Sequence, residues 1–174
     1  MLETERLLLR QWRVTDHPDF AQLNADPEVM RFFPAPLSRM ESDQMAQRCA
    51  NLIAERGWGF WAAEERASGA FIGFIGLHIP TAPLPFQPCV EVGWRLARPW
   101  WGQGLATEGA RAALDFAFSR LALREVVAFT AVANRRSEAV MQRLGMQRDA
   151  VTFAHPALPE GHWLREHCLY RAHP

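Results

Sequence analysis

Residues 89–108 are the part of the chain most informative about the fold, and they contain the segments Glu91-Val92-Gly93-Trp94-Arg95-Leu96 and Trp101-Gly102-Gln103-Gly104-Leu105-Ala106-Thr107-Glu108. The first part predicts a strand over 89–96, with Val92, Trp94 and Leu96 on one face and Glu91, Gly93 and Arg95 on the other. From position 106 to 121 apolar residues recur at spacings of three and four, which predicts a helix from 103 to about 120. The stretch therefore predicts a strand, a glycine turn and a helix.

The glycine turn is suited to an anion. Two glycines one residue apart at a helix start let successive N–H groups point at one spot, and the helix dipole favours a phosphate there. A tight turn that needs only glycine geometry explains the same residues without a ligand. A dinucleotide fingerprint requires a third glycine where the chain has Thr107, so a nicotinamide-dependent oxidoreductase is a weak alternative.

The remaining chain predicts a mixed α+β fold in a single domain over residues 1–174. Ser38 and Glu41 form the pattern of a capping box, and the helix that they open should end at Gly57. The loop 79–88 holds four prolines and should contain no regular element. Further strands are expected at 6–12, 60–64, 70–78, 125–132, 146–153 and 167–171, and further helices at 16–24 and 134–145.

Composition excludes several classes of function. The 174 residues include nineteen basic and nineteen acidic ones, so no broad basic surface for nucleic acid is expected. All the basic residues are arginine, which rules out a phosphate-loop lysine, a pyridoxal phosphate Schiff base and a biotin or lipoyl lysine. The apolar run at 7–9 is too short for a signal peptide, and no segment is long enough to span a membrane. We expect a cytoplasmic protein without membrane association.

The histidines and tryptophans each have two interpretations. Four of the six histidines lie in the last twenty residues, but their spacing and the prolines at 156 and 159 argue against a zinc site, so no metal is predicted. Trp12, Trp94 and Trp163 are expected to be core or interface anchors. The candidates for an apolar substrate pocket, for which core packing is the other interpretation, are Trp58, Phe60, Trp61, Phe32 and Phe33.

These segments together resemble the GNAT superfamily of acyl-coenzyme A N-acyltransferases, and most closely its ribosomal-protein N-terminal acetyltransferase branch. The resemblance covers nearly the whole chain in order. It implies a largely antiparallel central sheet with a splayed parallel pair, flanked by helices. Besides the two parts quoted above, the matching stretches are Leu2-Glu3-Thr4-Glu5-Arg6-Leu7, Gly73-Phe74-Ile75-Gly76-Leu77, Asn134-Arg135-Arg136-Ser137 and Leu144-Gly145-Met146.

The resemblance implies a site for acetyl-coenzyme A. The main chain of Trp94, Arg95 and Leu96 would contact the pantetheine and thioester. The family consensus has Arg or Gln three residues before the first glycine, whereas this chain has Pro99, and the adjacent Arg98 receives no role. The pyrophosphate would bind the amides around Gly102, Gln103, Gly104, Ala106 and Thr107.

The resemblance also implies catalytic residues. Glu91 matches a family position often assigned as base, acting directly or through water, although a solvent-facing strand glutamate needs no function. Asn134 would contact the pantetheine arm and Ser137 the leaving sulfur, although an Asn cap with Ser at its third position is complete without a ligand. Tyr170, the only tyrosine, is predicted not to be the acid, because it lies far along the chain from the helix after Asn134.

The resulting prediction is an acetyl-coenzyme A-dependent N-acetyltransferase that works by direct attack in a ternary complex. Its substrate would be a primary amine, either a small molecule or a protein N-terminus. The protein is expected to be a monomer or a homodimer. The alternative from another class is a coenzyme A binding module without turnover, which would use the same glycine turn as a sensor.

Overall fold

The computed structural model describes all 174 residues. The strands are β1 Leu2–Glu3, β2 Leu7–Arg10, β3 Phe60–Glu65, β4 Ala70–His78, β5 Glu91–Leu96, β6 Val126–Ala131, β7 Gln147–Arg148, β8 Phe153–Ala154 and β9 Glu166–Ala172. The helices are α1 His17–Ala25, α2 Arg39–Arg56, α3 Leu105–Ser119 and α4 Arg135–Arg143.

The strands form one sheet in the order β1-β2-β3-β4-β5-β6-β9-β7, and β8 pairs with β9. Every pair is antiparallel except β5 and β6. That parallel pair is limited to one register position, Glu91 opposite Val127, and the strands diverge beyond it. The predicted α+β fold, a largely antiparallel sheet with one splayed parallel pair, is confirmed.

Helices cover both faces of the sheet. Helix α3 packs on one face, where Ile75 and Trp61 join the larger apolar cluster. The helix approaches closely because Gly109 faces the sheet, and a Cβ there would lie 2.5 Å from Ile75 Cδ1. Helices α1 and α2 cover the other face, where Phe20 and Cys49 belong to a second cluster. Strand β5 therefore lies between two packed layers.

The capping box at the start of α2 forms as predicted. The Glu41 amide donates to Ser38 Oγ at 3.3 Å, and the Ser38 amide donates to Glu41 Oε2 at 2.8 Å. Gly57 ends the helix in the left-handed region, with a φ of 82°. These contacts satisfy backbone donors that a helix start otherwise leaves free.

The predicted strand 146–153 is wrong. The Met146 amide closes the end of α4 by donating to Met141 O at 3.1 Å, so the chain is not yet extended there. Between β7 and β8, the Asp149 carboxylate turns to Arg171 on β9, at 2.9 Å. Strand β1 was not predicted, because two residues are too few to show an alternating pattern.

Two further structural properties concern function. No three or more His, Cys, Asp or Glu side chains are grouped so that they could hold a metal ion. None of the four helices combines the length and the apolar run that crossing a bilayer requires.

Candidate active site

The glycine turn presents free backbone N–H groups. Gly102 and Gly104 have φ values of 73° and 80°, the left-handed region that glycine adopts without strain. The amides of Gly102, Gln103 and Gly104 donate to no hydrogen-bond acceptor in the protein, and no side chain caps α3. The first bond of the helix runs from the Glu108 amide to Gly104 O at 3.0 Å, so the amides at 105–107 are free as well. Such a cluster suits a phosphate.

The loop before the turn is tied to the end of β5. Trp101 Nε1 donates to Leu96 O at 2.7 Å, and Gln103 Nε2 donates to Pro99 O at 2.8 Å. Arg98, for which no role is predicted, is half-exposed and lies 4.0 Å from Asp26 at the end of α1. These contacts hold the turn at the carboxyl end of β5.

One edge of β5 is open for most of its length. All six residues of β5 pair with β4, from Glu91 opposite His78 to Leu96 opposite Gly73. Toward β6, only Glu91 has a partner. Trp94, Arg95 and Leu96 therefore lie where the main chain faces a gap between diverging strands, and an extended ligand can pair with such an edge.

Glu91 lies at the closed end of this gap. Its side chain is half-buried and forms no hydrogen bond or ion pair within the protein. Loss of hydration raises the pKa of its carboxyl to about 8. His78 on β4 lies opposite Glu91. Burial lowers the pKa of the His78 imidazole, and the charge of Arg56 lowers it further. Glu91 is thus a carboxyl group that can exchange a proton near neutral pH.

Asn134 and Ser137 form the predicted helix cap. Asn134 Oδ1 accepts from the Ser137 amide at 3.4 Å, while Asn134 Nδ2 donates to Thr130 Oγ1 at 3.0 Å and to Ser137 Oγ at 3.1 Å. Both amide protons of Asn134 are therefore used within the protein, whereas its Oδ1 accepts one hydrogen bond and keeps a second lone pair. The hydroxyl proton of Ser137 has no hydrogen-bond acceptor and remains available to a ligand.

Tyr170 lies in β9 as predicted, yet its hydroxyl reaches helix α4. It donates to Glu138 Oε1 at 3.0 Å and accepts from Gln142 Nε2 at 3.3 Å. The distance along the chain on which the prediction rested does not separate Tyr170 from this helix in space, because β9 passes beneath α4. The residue is 2% exposed, and burial raises the pKa of its phenol. That Tyr170 is not the acid stays a prediction, now because its proton is directed to Glu138.

Some of the aromatic candidates do meet on the face of the sheet that carries Glu91. Phe60 covers Gly93, whose Cβ would lie 3.0 Å from the Phe60 ring, and packs against Phe74 with a centroid separation of 4.7 Å. Phe33 lies over the Arg95 guanidinium at 4.1 Å. These contacts place apolar surface beside the residues that the sequence assigned to the site.

The other aromatic candidates have different neighbours. Trp61 is fully buried against Phe116 on the α3 face, so core packing is the interpretation that holds for it. Trp58 packs against the Arg56 guanidinium at 3.9 Å. Trp163 is 59% exposed and contacts Phe32 at 6.1 Å, so it is not a core anchor. Alternation along β3 separates Phe60 from Trp61 because neighbouring strand residues point to opposite faces.

Comparison with known proteins identifies the family. The profile of the Acetyltransferase (GNAT) domain matches residues 6–147. The chain belongs to the GNAT acetyltransferases. Among curated relatives of this GNAT protein, the uncharacterized protein YkkB of Bacillus subtilis is 31% identical over 83% of the chain and 84% of its own length. The FsC-acetyl coenzyme A-N(2)-transacetylase of Aspergillus fumigatus is 36% identical over 75% of the chain, which spans only 58% of that relative.

Solved structures share the fold of this GNAT domain. An acetyltransferase from Agrobacterium tumefaciens is 30% identical and superposes with a TM-score of 0.79 over 99% of this chain and 94% of its own. RimL, a ribosomal L7/L12 alpha-N-protein acetyltransferase in complex with coenzyme A, is 19% identical and superposes with a TM-score of 0.76 over 98% of this chain and 95% of its own. The spermidine N-acetyltransferase of Vibrio cholerae, in complex with coenzyme A and spermine, is 19% identical and superposes with a TM-score of 0.75 over 98% of this chain and 96% of its own.

The structure also joins residues that sequence reasoning left separate. Arg6 donates from Nη1 to Gln103 O at 2.9 Å and from Nε to Glu108 Oε2 at 2.7 Å. Thr4 Oγ1 donates to Glu108 Oε1 at 2.6 Å. Burial opposes the charge of Glu108, but the hydrogen bonds from Thr4 and Arg6 outweigh it and lower the pKa of that carboxyl. The segment with Thr4 and Arg6 and the segment with Gln103 and Glu108 both resemble the family. That resemblance was the only indication in the sequence that the two segments are in contact.

Proposed function

We propose that this GNAT domain transfers an acetyl group from acetyl-coenzyme A to a primary amine in a ternary complex. One observation supports this above all others. The free amides of Gly102 to Gly104 and the unpaired carboxyl of Glu91 lie at opposite ends of the same open strand edge. A phosphate group, an extended arm and a reacting amine would thus each find a matching part of the protein.

The cofactor residues have the donors that a coenzyme A molecule requires. The amides around Gly102, Gln103, Gly104, Ala106 and Thr107 would bind the pyrophosphate, because they make no competing hydrogen bond. The main chain of Trp94, Arg95 and Leu96 would bind the pantetheine and direct the thioester carbonyl toward backbone N–H groups.

Glu91 would take the proton that the amine loses, directly or through one water. A general base works best when its pKa lies near the working pH, and a pKa of about 8 meets this condition. The desolvated surroundings of Glu91 would also favour the neutral amine, which is the nucleophile. No other unpaired carboxyl lies on this strand.

Ser137 would donate a hydrogen bond from its free hydroxyl to the sulfur that leaves, and Asn134 would hold Ser137 in place while its Oδ1 contacts the pantetheine arm. A free thiol has a pKa of about 8.5, so a thiolate stabilised by one such bond can leave and take its proton from water. No acid from the protein is then required.

The amine remains a choice between two kinds of substrate. The names of similar proteins include a protein alpha-N-acetyltransferase and a spermidine N-acetyltransferase. We retain both a protein N-terminus, as the ribosomal-protein branch implies, and a small amine. The cytoplasmic location predicted from the sequence is part of this proposal.

The test is thiol release from acetyl-coenzyme A with N-terminal peptides, polyamines and aminoglycosides. With an amine that supports turnover, Glu91→Gln should lower kcat by about 10² to 10⁴ while cofactor affinity stays nearly intact. Glu3→Gln, an exposed strand glutamate at the far edge of the sheet, is the control. Coenzyme A binding with thiol release at the uncatalysed rate for every amine would favour the sensor function instead.

A further inference from the structure

Arg95 is a buried cation without a counter-ion. Two arginines of the chain are buried, Arg10 at 5% and Arg95 at 8% exposure. Arg10 pairs with Asp16 at 2.8 Å and with Glu64 at 2.6 Å. No carboxylate lies within 4.0 Å of Arg95. A buried charge is normally paired, because taking it out of water costs several kcal/mol, so this exception requires an explanation.

One edge of the Arg95 guanidinium has no partner within the protein. Nη1 donates to Asn24 Oδ1 at 2.6 Å and faces Met45 Sδ at 3.8 Å. Nε is buried and has no hydrogen-bond partner, and Nη2 donates to no group of the protein. Nε–H and Nη2–H point in the same direction, which is the side-on arrangement that binds both oxygens of one carboxylate.

The surroundings hold this edge in place without neutralising it. Phe33 and Phe74 stack near the guanidinium, at 4.1 and 5.3 Å from their ring centroids. Asn24 is itself fixed, since its Nδ2 donates to Ser42 Oγ at 2.9 Å. Phe33 is 38% exposed and belongs to the connection between α1 and α2, so the guanidinium lies one aromatic ring away from solvent. Burial lowers the pKa of Arg95 to about 10, which leaves it charged at neutral pH.

Arg95 also lies on the reacting face of β5. It is four residues from Glu91 on the same face, which is about 13 Å along an extended strand. Between them lies Gly93, which has no side chain to divide the two positions and is covered by Phe60. A carboxylate held by Arg95 and an amine held at Glu91 can therefore belong to one extended molecule.

We propose that the unpaired edge of Arg95 binds a carboxylate of the amine substrate, so that this enzyme selects amines whose far end is anionic. The inference rests on the proposed acetyl transfer and names the substrate class. The carboxylate would supply the missing counter-charge, and a substrate without it would leave the buried charge unpaired. Such loss of a polar partner discriminates strongly between substrates.

The first test compares kcat/KM for 4-aminobutyrate and 6-aminohexanoate with kcat/KM for their N-methylamides. The wild type should prefer the carboxylates by about 30-fold or more. The preference should fall close to unity in Arg95→Met. It should also fall in Arg95→Lys, which keeps the charge but cannot bind both oxygens side-on. Arg31→Met, which removes an exposed arginine near the Phe32 ring, should retain the preference.

The second test separates binding from acetyl transfer. Hexanoate should raise the melting temperature of the wild type and hexanamide should not, whereas neither should act on Arg95→Met or Arg95→Lys. Stabilisation by hexanoate without turnover of any amine would refute acetyl transfer and keep the carboxylate site. Equal kcat/KM for acids and amides, or an acid preference that persists in Arg95→Lys, would overturn the inference. If Arg95→Met does not fold, the comparison of acids with amides in the wild type and in Arg95→Lys tests the inference.

Discussion

The Arg6 guanidinium lies 2.7 Å from the Glu108 carboxylate, so the segment before β2 is bonded to the first turn of α3. The same guanidinium donates to Gln103 O inside the glycine turn. The turn that presents the free amides is therefore held by a residue almost a hundred positions earlier in the chain. A residue without direct ligand contact can thus set how well those amides converge.

Arg6→Met should raise the KM for acetyl-coenzyme A about threefold to tenfold and leave kcat almost unchanged, because a partly exposed network of this kind is worth roughly 1 kcal/mol. Steady-state kinetics with varied acetyl-coenzyme A provides the measurement. Arg13→Met removes a comparable exposed ion pair, Arg13 to Glu64 at 3.0 Å, away from the turn and should leave KM unchanged. Equal KM values in the two variants would show that Arg6 does not shape the turn.

Gly104→Val should raise the KM for acetyl-coenzyme A well beyond any effect on folding. A branched side chain is strained at a φ of 80° and would stand beside the free amides. Gly57→Val is the matched control, since Gly57 has a φ of 82° and open space around it but lies at the end of α2. We expect Gly104→Val and Gly57→Val to lower the melting temperature to a similar extent. Only Gly104→Val should change the KM for acetyl-coenzyme A. Unchanged affinity in a folded Gly104→Val protein would disprove phosphate binding at this turn.

The raised pKa of Glu91 predicts a pH-dependent cost to stability. Between about pH 4.5 and 8 the unfolded carboxyl has lost its proton while the folded one retains it, so stability falls as pH rises. The free energy of unfolding of the wild type should decline relative to Glu91→Gln by up to about 1.4 kcal/mol per pH unit in that window. Denaturant titrations at several pH values measure this difference. His78 titrates in both proteins, so to first order its effect cancels. A difference that does not vary with pH would exclude the raised pKa.

Ser137→Ala should cause a modest loss of kcat, because one hydrogen bond to the leaving sulfur is removed. Tyr170→Phe should change kcat hardly at all and cost about 1 kcal/mol of stability, since the bond to Glu138 is lost. Turnover and melting temperature of both variants decide the matter. If Tyr170→Phe abolished turnover with cofactor affinity and melting temperature preserved, the assignment of the leaving-group chemistry would be wrong.

Elements with a local sequence pattern could be predicted before the structure was known. Alternation placed Glu91, Gly93 and Arg95 on one face of β5, and glycine spacing predicted the turn before α3. The cap of α2 was readable because Ser38 and Glu41 are three residues apart. Each of these features depends on neighbours within a few residues, and backbone geometry alone relates such neighbours. Short strands such as β7 and β8 lacked enough residues for the same argument.

Contacts between residues far apart in the chain became visible only in the folded protein. Tyr170 lies far along the chain from α4 but beneath it, because β9 inserts beside β6 in the sheet. Arg95 was predicted for its main chain, whereas its side chain is surrounded by Asn24, Met45 and Phe33 from α1, α2 and their connection. Whether a buried arginine finds a carboxylate depends on which side chains those helices present to it. Local periodicity carries no information about that choice, because it is made when the helices pack on the sheet.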